Sequence, residues 1–201
     1  MPLSSESKAS KIGFFGGTFD PPHNGHLTLV RMALDKFNLD QLLISPTFIT
    51  PLRDNSTFFH HQQRLEMARR LANLHPKANI FDYEISNERL SYTYETVLEV
   101  RRKFPDSDIH LLIGFDQFAK LSKWKFLAEL SEEVHFLVFA RDQTQPPRPP
   151  EISIRYSLIK NPLIDISSSV IKSRMRDGKS IKELVPPTIF SYLQSITQSI
   201  H

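Results

Sequence analysis

Short apolar runs alternate along the chain with longer segments in which apolar residues recur every three or four positions. The short runs cover residues 12–15, 42–45, 109–113, 134–140 and 163–166. Runs of this length, rich in β-branched and aromatic side chains, are typical of strands buried in a parallel sheet. The longer segments have the spacing of helices that pack one face against a sheet. The alternation therefore predicts an α/β fold with a doubly wound parallel sheet.

Both ends of the chain and one proline-rich segment depart from this pattern. Residues 1–10 are polar and predict an N-terminal tail, which leaves residues 11–201 for a single domain. Residues 143–153 hold four prolines in a polar stretch, and they predict a surface loop because proline interrupts helices and sheet ladders. Residues 187–200 follow a proline and have apolar positions at helical spacing, which predicts a small helical part at the C-terminus.

Composition narrows the classes of protein that the chain can represent. A length of 201 residues, with 40% hydrophobic and 23% charged residues, is typical of a globular protein. The net charge of +3 is too small to indicate nucleic-acid binding. Because there is no cysteine, disulfides, thiolate metal sites and a cysteine nucleophile are excluded. No run approaches the ~18 apolar residues of a membrane span, and no N-terminal stretch resembles a signal peptide, so we expect a cytoplasmic protein.

The segment that follows the first predicted strand has the features of a phosphate site. Gly16 and Gly17 follow the strand, and a helix is expected to begin near Gly25. In open α/β sheets ligands bind where strands end, and glycine lets the backbone approach a ligand closely. A helix N-terminus offers free N–H groups and a positive dipole end. His23 and His26, three residues apart at this helix start, face the same way and can reach one anion.

Other interpretations of these residues remain open at this point. Paired histidines are often ordinary surface residues, and Asp20 with His23 and His26 is a conceivable metal site. No further Cys, His or acidic residue in compact spacing completes such a set. We therefore favour an anion site and predict no metal site built by the protein itself.

The segment GGTFDPPHNGHL, residues 16–27, resembles the signature of the HxGH nucleotidyltransferase superfamily. Its sequence is similar in particular to the corresponding segment of the nicotinate mononucleotide adenylyltransferase family, which implies a Rossmann-like nucleotidyltransferase fold. The resemblance implies that His23 and His26 are catalytic. It also implies that ATP contacts Gly16, Gly17, Thr18, Phe19 and Gly25.

A second phosphate site is expected near the C-terminus. Three serines, Ser167, Ser168 and Ser169, precede a helical pattern, where serine caps a helix and leaves N–H groups and hydroxyls exposed to an anion. Capping alone would explain them. The segment ISSSVIK, residues 166–172, resembles the superfamily motif ISSTxIR, which binds the β- and γ-phosphates of ATP. Lys172 stands where the family has Arg, so a single ammonium charge replaces a guanidinium that can bind phosphate through two N–H groups. Arg174 or Arg176 is therefore an alternative phosphate ligand.

Three further segments resemble the parts of the family that select the substrate. The segment GFDQFAKLSKW, residues 114–124, is similar to a family segment in which the Trp stacks on the pyridine ring. This implies that Gly114 and Asp116 contact ATP and that Trp124 contacts the pyridine. Thr93 is expected to cap a helix, and the resemblance of SYT at 91–93 implies a role in binding the nicotinate carboxylate. Arg53 stands where the family loop commonly has Lys and is implied in the same pyridine site.

The resemblance implies attack by the 5′-phosphate of nicotinate mononucleotide on the α-phosphorus of ATP, with Mg²⁺ as a cofactor that accompanies ATP. The partners are then the two nucleotides, with no nucleic acid and no membrane. Nicotinamide mononucleotide and phosphopantetheine are alternative acceptors, and a nucleotide sensor without turnover is an alternative of another class. Arg64 also matches a family position, although helix packing or an ion pair would explain it.

Overall fold

The computed structural model describes residues 9–49, 57–88, 90–141, 149–161 and 165–198. Six strands form one sheet in the order β3-β2-β1-β4-β5-β6, and every neighbouring pair is parallel. The strands are β1 (Lys11–Gly17), β2 (Gln41–Pro46), β3 (Ala78–Ile80), β4 (Asp108–Gly114), β5 (Val134–Arg141) and β6 (Tyr156–Asn161). This order is that of a Rossmann-like doubly wound sheet, as the sequence predicts.

Helices cover both faces of the sheet. They are α1 (Asn24–Phe37), α2 (His61–Ala72), α3 (Tyr83–Ser86), α4 (Thr93–Lys103), α5 (Phe115–Phe118), α6 (Leu127–Glu133), α7 (Ser168–Arg176) and α8 (Pro187–Gln198). Helices α1, α2, α7 and α8 pack in one apolar cluster, with Phe15 and Leu112 from the sheet. Helices α4, α5 and α6 pack in the other, with Phe14 and Leu111. Neighbouring residues of a strand thus serve opposite cores, as the pleat requires.

The predicted strands at β1, β2, β4 and β5 are confirmed, whereas the prediction at residues 163–166 is wrong in part. Asp165 and Ile166 carry no strand, and residues 162–164 lie outside the described residues. The last strand is instead Tyr156–Asn161. Its side chains are mostly exposed or half-buried because it lies at the edge of the sheet, so its sequence lacks the continuous apolar run of an internal strand.

The sheet order changes direction between β1 and β4. The chain adds β2 and β3 on one side of β1, then crosses to place β4 on its other side. In such sheets a crevice opens beyond the carboxyl ends of the two strands at the crossover. The glycines at the ends of these strands, Gly17 and Gly114, both lie there.

Over the described residues, no helix combines the length and apolarity needed to cross a bilayer.

Candidate active site

The loop after β1 is held in shape by buried aromatic packing. Phe19 is 2% exposed and adopts a left-handed backbone conformation with φ of 49°. Its ring lies 5.4 Å from the Phe15 ring and 5.1 Å from the His26 ring, between centroids. Burial of the Phe19 ring offsets the unfavourable backbone conformation. The same packing fixes one side of the His26 imidazole.

His23 and His26 lie together at the N-terminus of α1, as the sequence predicts. His23 occupies the capping position before Asn24, and the two ring centroids are 3.9 Å apart. The His23 backbone N–H donates to Nδ1 of His26 at 3.1 Å. A neutral imidazole that accepts at Nδ1 carries its proton on Nε2. His26 is therefore set to donate a hydrogen bond from Nε2.

Burial keeps both imidazoles neutral. It lowers the pKa of His23 to about 4, and it lowers the pKa of His26 well below its ordinary value, with a further contribution from the neighbouring His23. His23 is 9% exposed, and its ring faces the His26 backbone N–H from the capping position, but its Nδ1 makes no well-formed hydrogen bond within the described residues. A buried nitrogen without a partner is costly unless a ligand satisfies it. The pair is thus suited to bind phosphate oxygens as neutral hydrogen-bond donors.

Asp20, in the same loop, joins three parts of the chain. Its carboxylate is 3% exposed and accepts hydrogen bonds from the Phe58 and Phe59 backbone N–H groups, both at 2.9 Å. Its Oδ2 also accepts from Nζ of Lys172 at 2.9 Å. The carboxylate is therefore engaged away from the histidines, and no group of three His, Cys, Asp or Glu side chains in the described ranges is placed to hold a metal ion. This geometry does not support the metal alternative.

The serine segment begins α7 and contacts the loop after β1. Ser167 caps the helix, since its Oγ accepts from the Val170 N–H at 3.2 Å. Ser168 Oγ donates to the Pro21 carbonyl at 2.9 Å, while Ser169 is exposed. With the Lys172–Asp20 ion pair, two contacts join this helix start to the loop. The structure thus brings the two predicted phosphate segments together.

The three cations of α7 point to different places. Lys172 lies against the β1 loop through Asp20. Arg174 donates to the Ser180 carbonyl at 3.2 Å, beyond the end of the helix. The Arg176 guanidinium lies 5.4 Å from the centroid of the Phe58 ring. Among these three, Lys172 is the cation that contacts the loop between β1 and α1.

Gly114, at the end of β4, is not required by the fold. Its φ of −78° is accessible to any residue, and a Cβ added there would meet no described atom within 4 Å. The open space lies at the edge of the sheet where ligands bind. Asp116 is exposed in the first turn of α5, beside this space in the chain. The position thus leaves room for a ligand to approach the backbone.

The segments of the predicted pyridine site also meet. Trp124 follows a 3-10 turn at Leu121–Lys123 and packs half-buried against the α4–α6 core. Its chain neighbour Lys125 donates to the Tyr92 hydroxyl at 2.8 Å, next to Thr93. The prediction that Thr93 caps α4 is wrong by one residue, because the helix begins at Thr93 and Tyr92 holds the capping position. Arg53 lies outside the described residues.

A family model for cytidylyltransferase-like proteins matches residues 14–174, which span the loop after β1, the end of β4 and α7. The chain belongs to the cytidylyltransferase-like family. Gly16, Gly17 and Thr18, at and after the end of β1, and Gly25, buried in the first turn of α1, lie in the matched part.

Curated members of this cytidylyltransferase-like group are similar over nearly the whole chain. A protein of Gemmatimonas aurantiaca named probable nicotinate-nucleotide adenylyltransferase is 35% identical, and the match covers 92% of this chain and 90% of the relative. A protein of Geobacillus thermodenitrificans with the same name is 35% identical over 92% of this chain and 83% of the relative. Both alignments leave little of either chain unmatched.

A solved structure has the same fold. The nicotinic acid mononucleotide adenylyltransferase of Plasmodium falciparum, complexed with NaAD, superposes with a TM-score of 0.70 at 20% identity. The match covers 93% of this chain and 96% of that chain. At this identity the likeness supports the cytidylyltransferase-like fold.

The sequence did not predict the burial and the hydrogen-bond partners of two charged residues of the site, Arg64 and Asp20. Arg64 is 1% exposed and donates to the carbonyls of Thr18, Thr47 and Phe48, at 2.8, 2.6 and 3.1 Å. Asp20 fixes Lys172 instead of a metal. A signal was present, because an arginine within the apolar positions of a helix is seldom buried without partners. The partners themselves are backbone carbonyls, which no residue pattern reveals.

Proposed function

We infer that this protein joins nicotinate mononucleotide to the AMP part of ATP and forms nicotinate adenine dinucleotide and pyrophosphate. The curated relatives carry this activity in their names at 35% identity. The observation that carries the inference for this chain is the contact between its two phosphate segments, through Lys172–Asp20 and Ser168–Pro21. Two segments that carry hydrogen-bond donors, one near each end of the chain, thus lie next to each other, which supports a shared phosphate site.

The chemistry requires positioning more than covalent catalysis. A phosphate oxygen of nicotinate mononucleotide forms a bond to the α-phosphorus of ATP, and the bond from that phosphorus to the oxygen bridging to the β-phosphorus breaks. The nucleophile is already an anion, so no general base is needed. The site has to align the two phosphates and to stabilise the charge that moves onto pyrophosphate.

Each phosphate segment has a distinct part in this step. His26 donates from Nε2, and the neutral His23 ring beside it supplies a second imidazole N–H. Both act as neutral donors, which stabilise an oxyanion by preorganised hydrogen bonds. Lys172 holds the departing pyrophosphate, together with the hydroxyls of Ser167 and Ser169 and the backbone N–H of Ser168 at the positive end of α7. Gly16, Gly17, Thr18 and Phe19 place the β1 loop against the ATP phosphates.

The ATP phosphates would hold Mg²⁺, which would supply positive charge to neutralise them. The residues of the described site fit a metal ion held by ATP. The two histidines are neutral, and the one buried carboxylate of the loop, that of Asp20, is engaged by Lys172 and two backbone N–H groups. Phosphate oxygens and water are ligands that Mg²⁺ accepts in place of a protein cage.

The other half of the crevice takes the pyridine nucleotide. Thr93 begins α4, where backbone N–H groups without intrahelical partners can bind the nicotinate carboxylate. Trp124 provides a ring for stacking, and Arg53 is a further predicted ligand. Gly114 and Asp116 belong to the ATP side, with Asp116 placed to accept from a ribose hydroxyl. Residues 11–201 act as one nucleotidyltransferase domain in this proposal, and the cytoplasmic location stays a prediction.

One assay tests the proposed function directly. Pyrophosphate release is measured with ATP and Mg²⁺ against nicotinate mononucleotide, nicotinamide mononucleotide and phosphopantetheine. We expect the largest kcat/KM with nicotinate mononucleotide, and chromatography of the product should show the dinucleotide. A higher kcat/KM with either other acceptor would reassign the substrate. If a folded protein binds ATP and releases pyrophosphate with none of the three, the enzyme proposal fails and the sensor alternative replaces it.

A further inference from the structure

Glu84 is a buried carboxyl with few hydrogen-bond partners. It lies in the short helix α3 with 4% of its surface exposed. Its Oε1 accepts from the Thr96 hydroxyl at 2.8 Å, and the Phe48 backbone N–H also acts on the carboxyl, while Oε2 makes no well-formed hydrogen bond within the described residues. Stability does not explain this arrangement, because an apolar side chain of similar size is generally less costly to bury.

Arg64 is the buried cation that acts on Glu84. Its guanidinium holds the loop after β1 at Thr18 and the loop after β2 at Thr47 and Phe48. Its pKa is lowered by burial, and the nearby negative charges of Asp20 and Glu84 counter that effect. A guanidinium without such charges would be strongly destabilising at this depth. Glu84 therefore supplies part of the charge balance that keeps Arg64 between the two loops.

Thr96 connects the same carboxyl to the pyridine side of the crevice. It is fully buried in the first turn of α4, three residues after Thr93. Its backbone N–H donates to the Tyr92 carbonyl at 3.2 Å, so its position is tied to the start of the helix. Through Thr96, Glu84 contacts the helix that begins at the predicted nicotinate site.

We propose that Glu84, as a carboxylate, is a positioning residue that keeps the ATP loop and the pyridine helix in one arrangement. It contacts Thr96 on one side and the Phe48 backbone on the other, and the Phe48 carbonyl in turn accepts from Arg64 at 3.1 Å. The proposal rests on the function inferred above. Glu84 touches neither nucleotide in it. Arg64 reaches the carbonyl of Thr18 in the phosphate loop on one side, and Thr96 reaches the start of α4 on the other.

The positioning depends on the charge of Glu84, which makes it measurable by pH. Burial raises the pKa of Glu84 to about 7, and Glu95 contributes in the same direction. The Thr96 hydroxyl, the Phe48 backbone N–H and Arg64 lower this pKa and partly offset the effect of burial. The charged groups that face the carboxyl are thus Arg64 from α2 and Glu95 from α4, with Asp20 acting on Arg64. When Glu84 takes up a proton, Arg64 loses one of its two balancing charges.

The test compares Glu84→Gln with wild type in the full-length protein, with kcat/KM for nicotinate mononucleotide measured from pH 5.5 to 9. Wild type should lose activity on the acid side near pH 7, beyond the effect of the substrate phosphate, whose own pKa is about 6. Glu84→Gln should lack that loss and should have a kcat/KM lower by about tenfold at high pH, a size typical of coupling between sites. Glu84→Asp, which keeps the charge, should retain the acid limb.

Glu133→Gln is the matched control. It removes a carboxylate paired with Arg101 at 2.9 Å, at the end of α6 that precedes β5 and away from the crevice. Its pH profile should equal that of wild type. If Glu84→Gln is folded, keeps the acid limb and stays within twofold of wild type, the proposal is wrong although the function stands. A wild type inactive with every acceptor would instead refute the function.

Thr96→Val gives a second test if Glu84→Gln does not fold. It removes the hydroxyl that lowers the pKa of Glu84 and keeps the shape of the side chain. The acid limb should then move to higher pH. An unchanged limb in a folded Thr96→Val protein would contradict the proposal.

Discussion

At the scale of single residues, the main feature of the site is that its two histidines are neutral. Histidine near phosphate is often treated as a cation, but the burial of His23 and His26 makes protonation unfavourable at neutral pH. Their contribution is geometric, since the tautomer of His26 is fixed by the His23 N–H. Activity should accordingly persist at pH values far above the ordinary pKa of histidine.

Replacement of His26 tests this role. His26→Ala removes one preorganised donor, and loss of such a donor typically lowers kcat by ~10²–10³. We expect a decrease of that order with ATP and nicotinate mononucleotide, measured by pyrophosphate release. His75→Ala, in the connection between α2 and β3, is the control and should keep wild-type activity. Turnover of a folded His26→Ala protein within a few-fold of wild type would disprove the role.

Asp20 should affect ATP binding through Lys172. Asp20→Asn keeps the shape of the side chain but removes the charge that holds Nζ of Lys172 at 2.9 Å. A hydrogen bond between charged groups contributes about 1.5–3 kcal/mol, so KM for ATP should rise roughly tenfold or more while kcat changes less. Steady-state kinetics with ATP as the varied substrate measure both. Asp40→Asn, which alters a contact with the Lys11 N–H at the other end of β1, should leave KM unchanged.

The sequence predicted those residues of the site that belong to a recognisable motif. The positions of His23, His26 and the serines of α7 follow from strand ends and helix starts, and the structure places them there. The carboxylates that organise them did not follow, because Asp20 and Glu84 act through backbone groups and distant side chains. A side chain whose partners are backbone atoms leaves no spacing pattern in the sequence.

At the scale of elements, strands were predicted well where the sheet is covered on both faces. Four internal strands have continuous apolar runs, and all four were predicted. The edge strands β3 and β6 were missed, since β3 has three residues and β6 exposes Tyr156 and Leu158. An edge strand needs fewer apolar residues, so hydrophobic periodicity underestimates it.

Substitutions at the start of α7 should distinguish the effect of helix capping on stability from the effect of ligand binding on KM. Ser167 caps the helix by accepting from the Val170 N–H, so Ser167→Ala should lower the free energy of unfolding by about 1 kcal/mol as well as weaken ATP binding. Ser169 is exposed, so Ser169→Ala should weaken ATP binding with little change in stability. Urea unfolding and KM for ATP distinguish the two. A loss of stability for Ser169→Ala equal to that of Ser167→Ala would contradict this division.

At the scale of the whole molecule, buried histidines should make stability depend on pH. Burial lowers the folded-state pKa of His23, His26, His110 and His135 below the ordinary value. Below about pH 6.5 the unfolded chain then binds protons that the folded chain does not, so the free energy of unfolding falls as pH falls. Glu84, whose pKa is raised to about 7, acts in the opposite direction over the same range, but it is one group against these four histidines and His61, whose pKa is also lowered.

Chemical denaturation at pH 7.5 and pH 5 measures this dependence. We expect wild type to be less stable at pH 5, and we expect a smaller difference when His110 and His135 are both replaced by Asn. These two lie near the amino-terminal ends of β4 and β5 with ring centroids 5.4 Å apart, away from the crevice. A difference between the two pH values that is unchanged in the double variant would show that His110 and His135 are not held neutral by the fold.

The ion pair between Asp20 and Lys172 also has a consequence for the order in which a growing chain becomes competent. It joins residues 152 positions apart, and domains begin to fold from the N-terminus during synthesis. The first three strands to emerge from a ribosome can pair with one another, because β1, β2 and β3 are neighbours on one side of the sheet. The phosphate loop nevertheless lacks its lysine until α7 has been translated. In a nascent chain, half of the sheet could therefore form long before the nucleotide site is complete.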